Sequence, residues 1–83
     1  MLANEARKIA SEKIWNSLPS ILRYNIEDAV NEGKLNCEIT FNDDKIDKSN
    51  FDDCIRYFHN LNELGYQTAM HKELGKYVIT IIW

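Results

Sequence analysis

Lys76–Trp83 reads KYVITIIW, and the rest of the architecture is placed around this stretch. Tyr77, Ile79, Ile81 and Trp83 fall on one side of an extended chain, and Val78 and Ile82 on the other. A strand that is apolar on both sides belongs inside a sheet, with weaker strands at the edges. Two weaker strands are at hand. Tyr66–His71 (YQTAMH) is half polar and is joined to KYVITIIW by the short turn KELG, so these two form a hairpin. Residues 35–41 (LNCEITF) alternate strictly, with Leu35, Cys37, Ile39 and Phe41 on one face and Asn36, Glu38 and Thr40 on the other. Placing the last strand between the other two predicts the spatial order 1-3-2. Strands one and two then run parallel in a mixed sheet, with the segment between them as a right-handed crossover.

That segment reads as a loop, NDDKIDKS, followed by a helix. Ser49 with Asp52 three residues later has the spacing of a capping box, and Asp52 and Asp53 suit the positive end of a helix dipole. Phe51, Cys54, Ile55, Phe58 and Leu61 give the helix its apolar stripe, and Gly65 closes it. Phe58 and Ile79 are expected to be buried together between this helix and the sheet.

Two more helices precede the first strand. Over residues 4–17, Leu2, Ala6, Ile9, Ala10, Ile14 and Leu18 recur at spacings of three and four. Glu5, Lys8 and Glu12 are spaced to pair on the wet side. Pro19 ends the pattern, since it drives residue 18 away from helical torsions. Leu22, Ile26, Ala29 and Val30 then mark a helix running to Glu32, which Gly33 stops. The first two helices are expected to form an antiparallel hairpin bent at Leu18–Pro19. The predicted class is α+β, ααβαββ, in one domain spanning residues 1–83.

With 83 residues the chain buries about 60–65% of its unfolded surface, which suffices for one small core. Hydrophobic residues make up 45% and charged residues 28%, a globular composition. The formal net charge of −3 argues against non-specific nucleic-acid binding, whose affinity comes from neutralised phosphates. No apolar run reaches the roughly 18 residues of a membrane span. MLANEARKIASEKIW has no apolar h-region, so no secretory leader is expected. The acidity is local: between residues 35 and 65 seven carboxylates face only Lys45, Lys48 and Arg56. Two cysteines at unrelated spacing read as reduced thiols of a cytoplasmic protein.

Chemistry-bearing residues are few. Cys37, Cys54, His59 and His71 contain no C-x-x-C or H-x-x-x-H pair, so no metal site is expected, and both cysteines fall on core stripes. Asp43, Asp44 and Asp47 fail the calcium-loop pattern, because Lys45 and Lys48 occupy a ligand position and the required glycine. Cys54 and His59 diverge by about 140° on one helix and form no dyad, while His59 and Glu63 are spaced as a surface pair. Neither a catalytic residue nor a cofactor is expected. Arg7, Lys8 and Lys13 are interleaved with Glu5 and Glu12, which is the pattern of a solvated helix face. Trp15 and Tyr24 either widen the helical core or form an exposed aromatic patch.

The chain's last stretch, LNELGYQTAMHKELGKYVITIIW, resembles the ending of many small bacteriophage proteins, in which a helix closing in L-x-x-L-G-Y leads into a hairpin with a final I-x-I-x-W-like strand. The matching residues are Leu61, Leu64, Gly65 and Tyr66, then Ile79, Ile81 and Trp83, with the final I-T-I-I-W departing by one residue. The resemblance implies a phage or prophage accessory protein acting in the bacterial host's cytoplasm. The function expected is non-enzymatic binding and modulation of a host protein. A self-assembling virion or morphogenesis component, and a small-ligand binder with a groove between the helical hairpin and the sheet, stand as alternatives.

The candidate docking surface is the outer face of the sheet, weighed against a merely solvated face. With all helices on the face built from Leu35, Cys37, Ile39, Phe41, Tyr66, Met70, Tyr77, Ile79, Ile81 and Trp83, the opposite face is left bare. Its centre is Ala69, Val78 and Ile82, with Thr80 and His71 beside them and a polar rim around, the anatomy of many interfaces. The acidic segment at Asp43, Asp44 and Asp47 reads as a solvated loop and is the alternative docking site if the sheet face proves bare of partners.

Overall fold

The computed structural model describes residues 3–83, and Leu2 of the expected first stripe lies outside them. The elements in order are α1 (Ala3–Ser17), α2 (Ser20–Asn31), β1 (Asn36–Asn42), α3 (Lys45–Arg56), α4 (Phe58–Glu63), β2 (Gln67–Glu73) and β3 (Lys76–Ile82). The strand order is β1-β3-β2, as the two-sided apolar character of β3 requires. Both ladders are antiparallel. The sheet is therefore antiparallel throughout and not mixed: β1 and β2 do run the same way, but β3 stands between them and no parallel pair forms.

Ile39 and Met70 flank Ile79 in register, Phe41 and Lys72 flank Tyr77, and Cys37 and Thr68 flank Ile81. On this face Cys37, Ile39, Phe41, Ile79 and Ile81 join Leu18, Leu22, Ile26, Ala29, Phe51, Cys54 and Leu61 in one buried cluster. α2 and α3 pack on β1, and α4 packs on β2. Two expected members of the face are not covered. Leu35 precedes the strand and is 69% exposed. Met70 is 54% exposed. α4 reaches only the start of β2, where the Thr68 hydroxyl donates to Asn62 Oδ1 at 3.3 Å.

The crossover differs from the sequence expectation in two ways. It begins earlier, because Asp44 and not Ser49 is the cap: Asp44 Oδ1 accepts from the backbone N–H of Ile46 (3.0 Å) and of Asp47 (2.9 Å). Ser49 lies inside α3, so the segment read as loop is mostly the helix's first turns. It also breaks at Tyr57, whose N–H makes a tight three-residue turn to the Cys54 carbonyl at 3.1 Å. Phe58 consequently starts α4 and is only half-buried, while Phe51 is the aromatic residue driven into the core. Asp44→Ala is expected to cost about 0.5–2 kcal/mol, read as a lower urea midpoint at unchanged slope. An unmoved midpoint would show that the start of α3 is held by something other than this cap.

Both expected glycine stops are present. Gly33 (φ 76°) and Gly65 (φ 98°) take the left-handed conformation that side chains disfavour. Each sits in a Schellman turn: Lys34 N–H reaches the Ala29 carbonyl (2.9 Å) and Tyr66 N–H that of Leu61 (3.0 Å). The second turn aims the chain from α4 into β2.

α1 does not lie back along α2, so the antiparallel hairpin expected at Leu18–Pro19 is not formed, and α1 follows its stripe only at its end. None of its residues is buried, every side chain from Ala3 to Lys13 is exposed, and Ile14 and Trp15 are half-buried ahead of buried Leu18. The stripe at Ala6, Ile9 and Ala10 offers two methyl groups and one isoleucine, too little area to hold a helix down along its length. No ion pair links Glu5, Lys8 and Glu12 among the described residues.

Candidate docking surfaces

The outer face of the sheet is a grid of three strands. Its rows are Asn36, Ile82 and Gln67; Glu38, Thr80 and Ala69; Thr40, Val78 and His71. None of these residues belongs to the core cluster, so no helix covers this face. Val78 is nevertheless only 6% exposed. Its branched side chain lies between Thr40 and His71 across the ladders, and neighbours on the same face supply its shelter. Ile82 is 40% exposed and Ala69 is exposed, so these two offer most of the apolar area still open to a partner. His71 is held at the rim, with Nε2 2.9 Å from Glu73 Oε1.

The acidic segment works inside the fold. Asp44 caps α3, and Asp47 Oδ2 accepts from the Asn42 N–H at 2.9 Å. Asp43 ties the end of β1 to the hairpin: its N–H donates to the Gly75 carbonyl at 2.8 Å, its Oδ1 accepts from the Tyr77 hydroxyl at 3.1 Å, and its Oδ2 lies 3.3 Å from Lys72 Nζ. Lys72 also sits 5.1 Å from the centre of the Tyr77 ring. The Tyr77 hydroxyl, and then Lys72, hold the Asp43 carboxyl below its ordinary range. Asp43 in turn holds Lys72 above its own ordinary value.

These directions set the sign of a pH effect. A depressed carboxylate stabilises the fold above its unfolded value and loses that contribution as pH falls through its folded value. A raised lysine stabilises below its unfolded value and loses that contribution as pH rises through its folded value. The tie is therefore fully present between the ordinary Asp and Lys values, about 4 and 10.4. Asp43→Asn is expected to flatten the acid limb of stability against pH. Thermal melts between pH 2 and 7 check this, and an acid limb identical to the parent's would show that Asp43 carries none of it.

Cys37 and Cys54 are both buried and free. Burial pushes both thiols up, Cys54 to about 11 with Asp53 adding to the effect. At neutral pH they are protonated and unsuited to act as nucleophiles. His59 is at the surface, 2.8 Å from Glu63 Oε1, the pair its spacing predicts. No group of three His, Cys, Asp or Glu side chains that could hold a metal occurs among the described residues. No helix there is long and apolar enough to cross a membrane.

The groove expected between a helical hairpin and the sheet has no hairpin to wall it, and the grooves found lie beside α1 instead. Two adjoining lobes share Trp15 and Tyr66 as walls. One, about 370 Å³, is floored by Ile26 and Val30 with Glu27 and Asn31 at its edge. The other, about 270 Å³, is bounded by Ser11, Glu12 and Leu64. Tyr66 is braced edge-on against Trp83, with ring centres 5.9 Å apart. Tyr24, the other flagged aromatic, is 69% exposed and takes no part. A third cavity, about 360 Å³, lies between the end of α2 and β1 and is polar, edged by Asp28, Glu32, Lys34 and Glu38. The signal for the aromatic groove was the i, i+4 pair Ile26 and Val30 beside an unassigned Trp15, but what closes it is Tyr66, more than thirty residues away in sequence.

Compared with protein families, curated proteins and solved structures, the chain matches none.

Proposed function

We propose that the chain is a non-enzymatic protein-binding module, an accessory protein of a phage or mobile element that modulates a host protein in the bacterial cytoplasm. The observation that carries the reading is the bare outer face of the sheet. α2, α3 and α4 pack on the inner face, and the outer one presents Ile82 and Ala69 around Val78 within a rim of Asn36, Glu38, Thr40, Gln67 and His71. Partners dock on such apolar centres with polar rims. The phage and host parts of the reading rest on the resemblance of the C-terminal stretch.

Ile82→Lys combined with Ala69→Lys tests it. Both positions are exposed, so the fold survives, as circular dichroism would show. A partner cross-linked to the parent protein in a host lysate is expected to vanish with the variant. Undiminished capture would remove the outer face from the reading.

A second reading, self-assembly, is favoured by β2, an edge strand exposed along nearly its whole length. A stable oligomer in solution that the same double substitution leaves intact would favour it.

A further inference from the structure

We infer that the groove walled by Trp15 and Tyr66 receives an arginine or lysine side chain of a partner protein, with the aliphatic stem against the two rings and the charge between Glu12 and Glu27. The groove lies on the helical side of the molecule, so this inference stands apart from the outer-face reading.

The walls are preformed. Trp15 and Tyr66 are half-buried and packed against the core, Tyr66 is fixed by the Schellman turn at Gly65, and its ring is braced by Trp83. Rigid walls keep the ordering cost of binding low. The floor is apolar and partly open, since Val30 remains 51% exposed beside fully packed Ile26.

The charges choose the guest. Glu12 and Glu27 each edge one lobe, no lysine or arginine lines either, and neither carboxylate has an ion-pair or hydrogen-bond partner among the described residues. An apolar guest would strip water from these carboxylates without replacing its hydrogen bonds. An anionic guest would be repelled. A basic side chain meets both demands: its methylene stem covers apolar surface while its head stays polar. Its cation is attracted to aromatic faces and forms charge-assisted hydrogen bonds to carboxylates. Each lobe is at or near the lower limit of small-molecule sites, which suits one long side chain better than a whole cofactor.

The test uses the full chain and two synthetic helical peptides, leucine-rich and identical except for arginine or uncharged citrulline at one central position. Binding is followed through the indole N–H signal of Trp15, assigned with Trp15→Phe. The arginine peptide is expected to shift that signal and to bind at least about tenfold more tightly than the citrulline peptide. Glu12→Gln with Glu27→Gln is expected to erase the difference, and because both positions are exposed the variant keeps its circular dichroism spectrum. Equal binding of the two peptides would overturn the inference. So would shifts confined to the outer sheet face, or no binding at millimolar peptide.

Discussion

Phe51→Ala is expected to remove about 3–5 kcal/mol of stability, the usual cost of emptying a buried phenylalanine site. Folded domains hold only about 5–15 kcal/mol in all, and one this small sits near the low end. About 0–2 kcal/mol then remains, so an unfolded fraction measurable at room temperature is expected. Phe51 is 6% exposed, stacked on Tyr77 at 4.4 Å between ring centres and edge-on to Phe41 at 5.9 Å. It is the point where α3 is fastened to β1 and β3 together, and Tyr77 carries the fastening on to Asp43 and Lys72. Ile46→Ala, five residues earlier on the same helix and 76% exposed, should change stability by no more than about 0.5 kcal/mol. Urea unfolding of the two variants checks the contrast. A loss below about 1 kcal/mol for Phe51→Ala would mean that α3 does not cover the sheet where the structure puts it.

Ile79→Ala is expected to cost about 2–5 kcal/mol, and Met70→Ala under about 1 kcal/mol. The two are direct neighbours across the ladder and point to the same face. A reading from strand periodicity alone gives them equal weight. Ile79 is fully buried under the helices, however, whereas Met70 is 54% exposed at the edge that α4 does not reach. Truncating Ile79 leaves a cavity that the central strand, laddered on both sides, cannot collapse to fill. Truncating Met70 removes atoms that water already touches. Equal losses in urea unfolding would mean that the far half of β2 is covered after all.

The outer face and the groove beside α1 lie on opposite sides of the sheet, and both open surfaces have the same origin. A domain of this length has too few apolar residues to cover a sheet twice and to bury a fifteen-residue helix along its length as well. The helical layer is spent on Ile39, Ile79 and Ile81, which leaves the outer row of β3 and most of α1 facing solvent.

The elements and their order follow from short-range rules. The strict alternation of Cys37, Ile39 and Phe41, the two-sided apolarity of β3 and the glycine stops at Gly33 and Gly65 settle the elements and their order, because side-chain period and positive φ are local properties. The composition of the outer sheet face was legible for the same reason. The contacts that complete the fold depend instead on residues distant in the chain. Asp44-x-x-Asp47 and Ser49-x-x-Asp52 have the same capping spacing, and the choice fell to the first, with Asp47 holding the Asn42 N–H at the end of β1. Phe51 and Phe58 share one stripe, yet the break at Tyr57 buries one and half-exposes the other. Asp43 reads only as one carboxylate of an acidic loop until the β2–β3 hairpin brings Tyr77 and Lys72 to it. Trp15 has no visible partner until the turn at Gly65 sets Tyr66 across from it. Periodicity states which way a side chain points, but only the packed layers state what stands there to meet it.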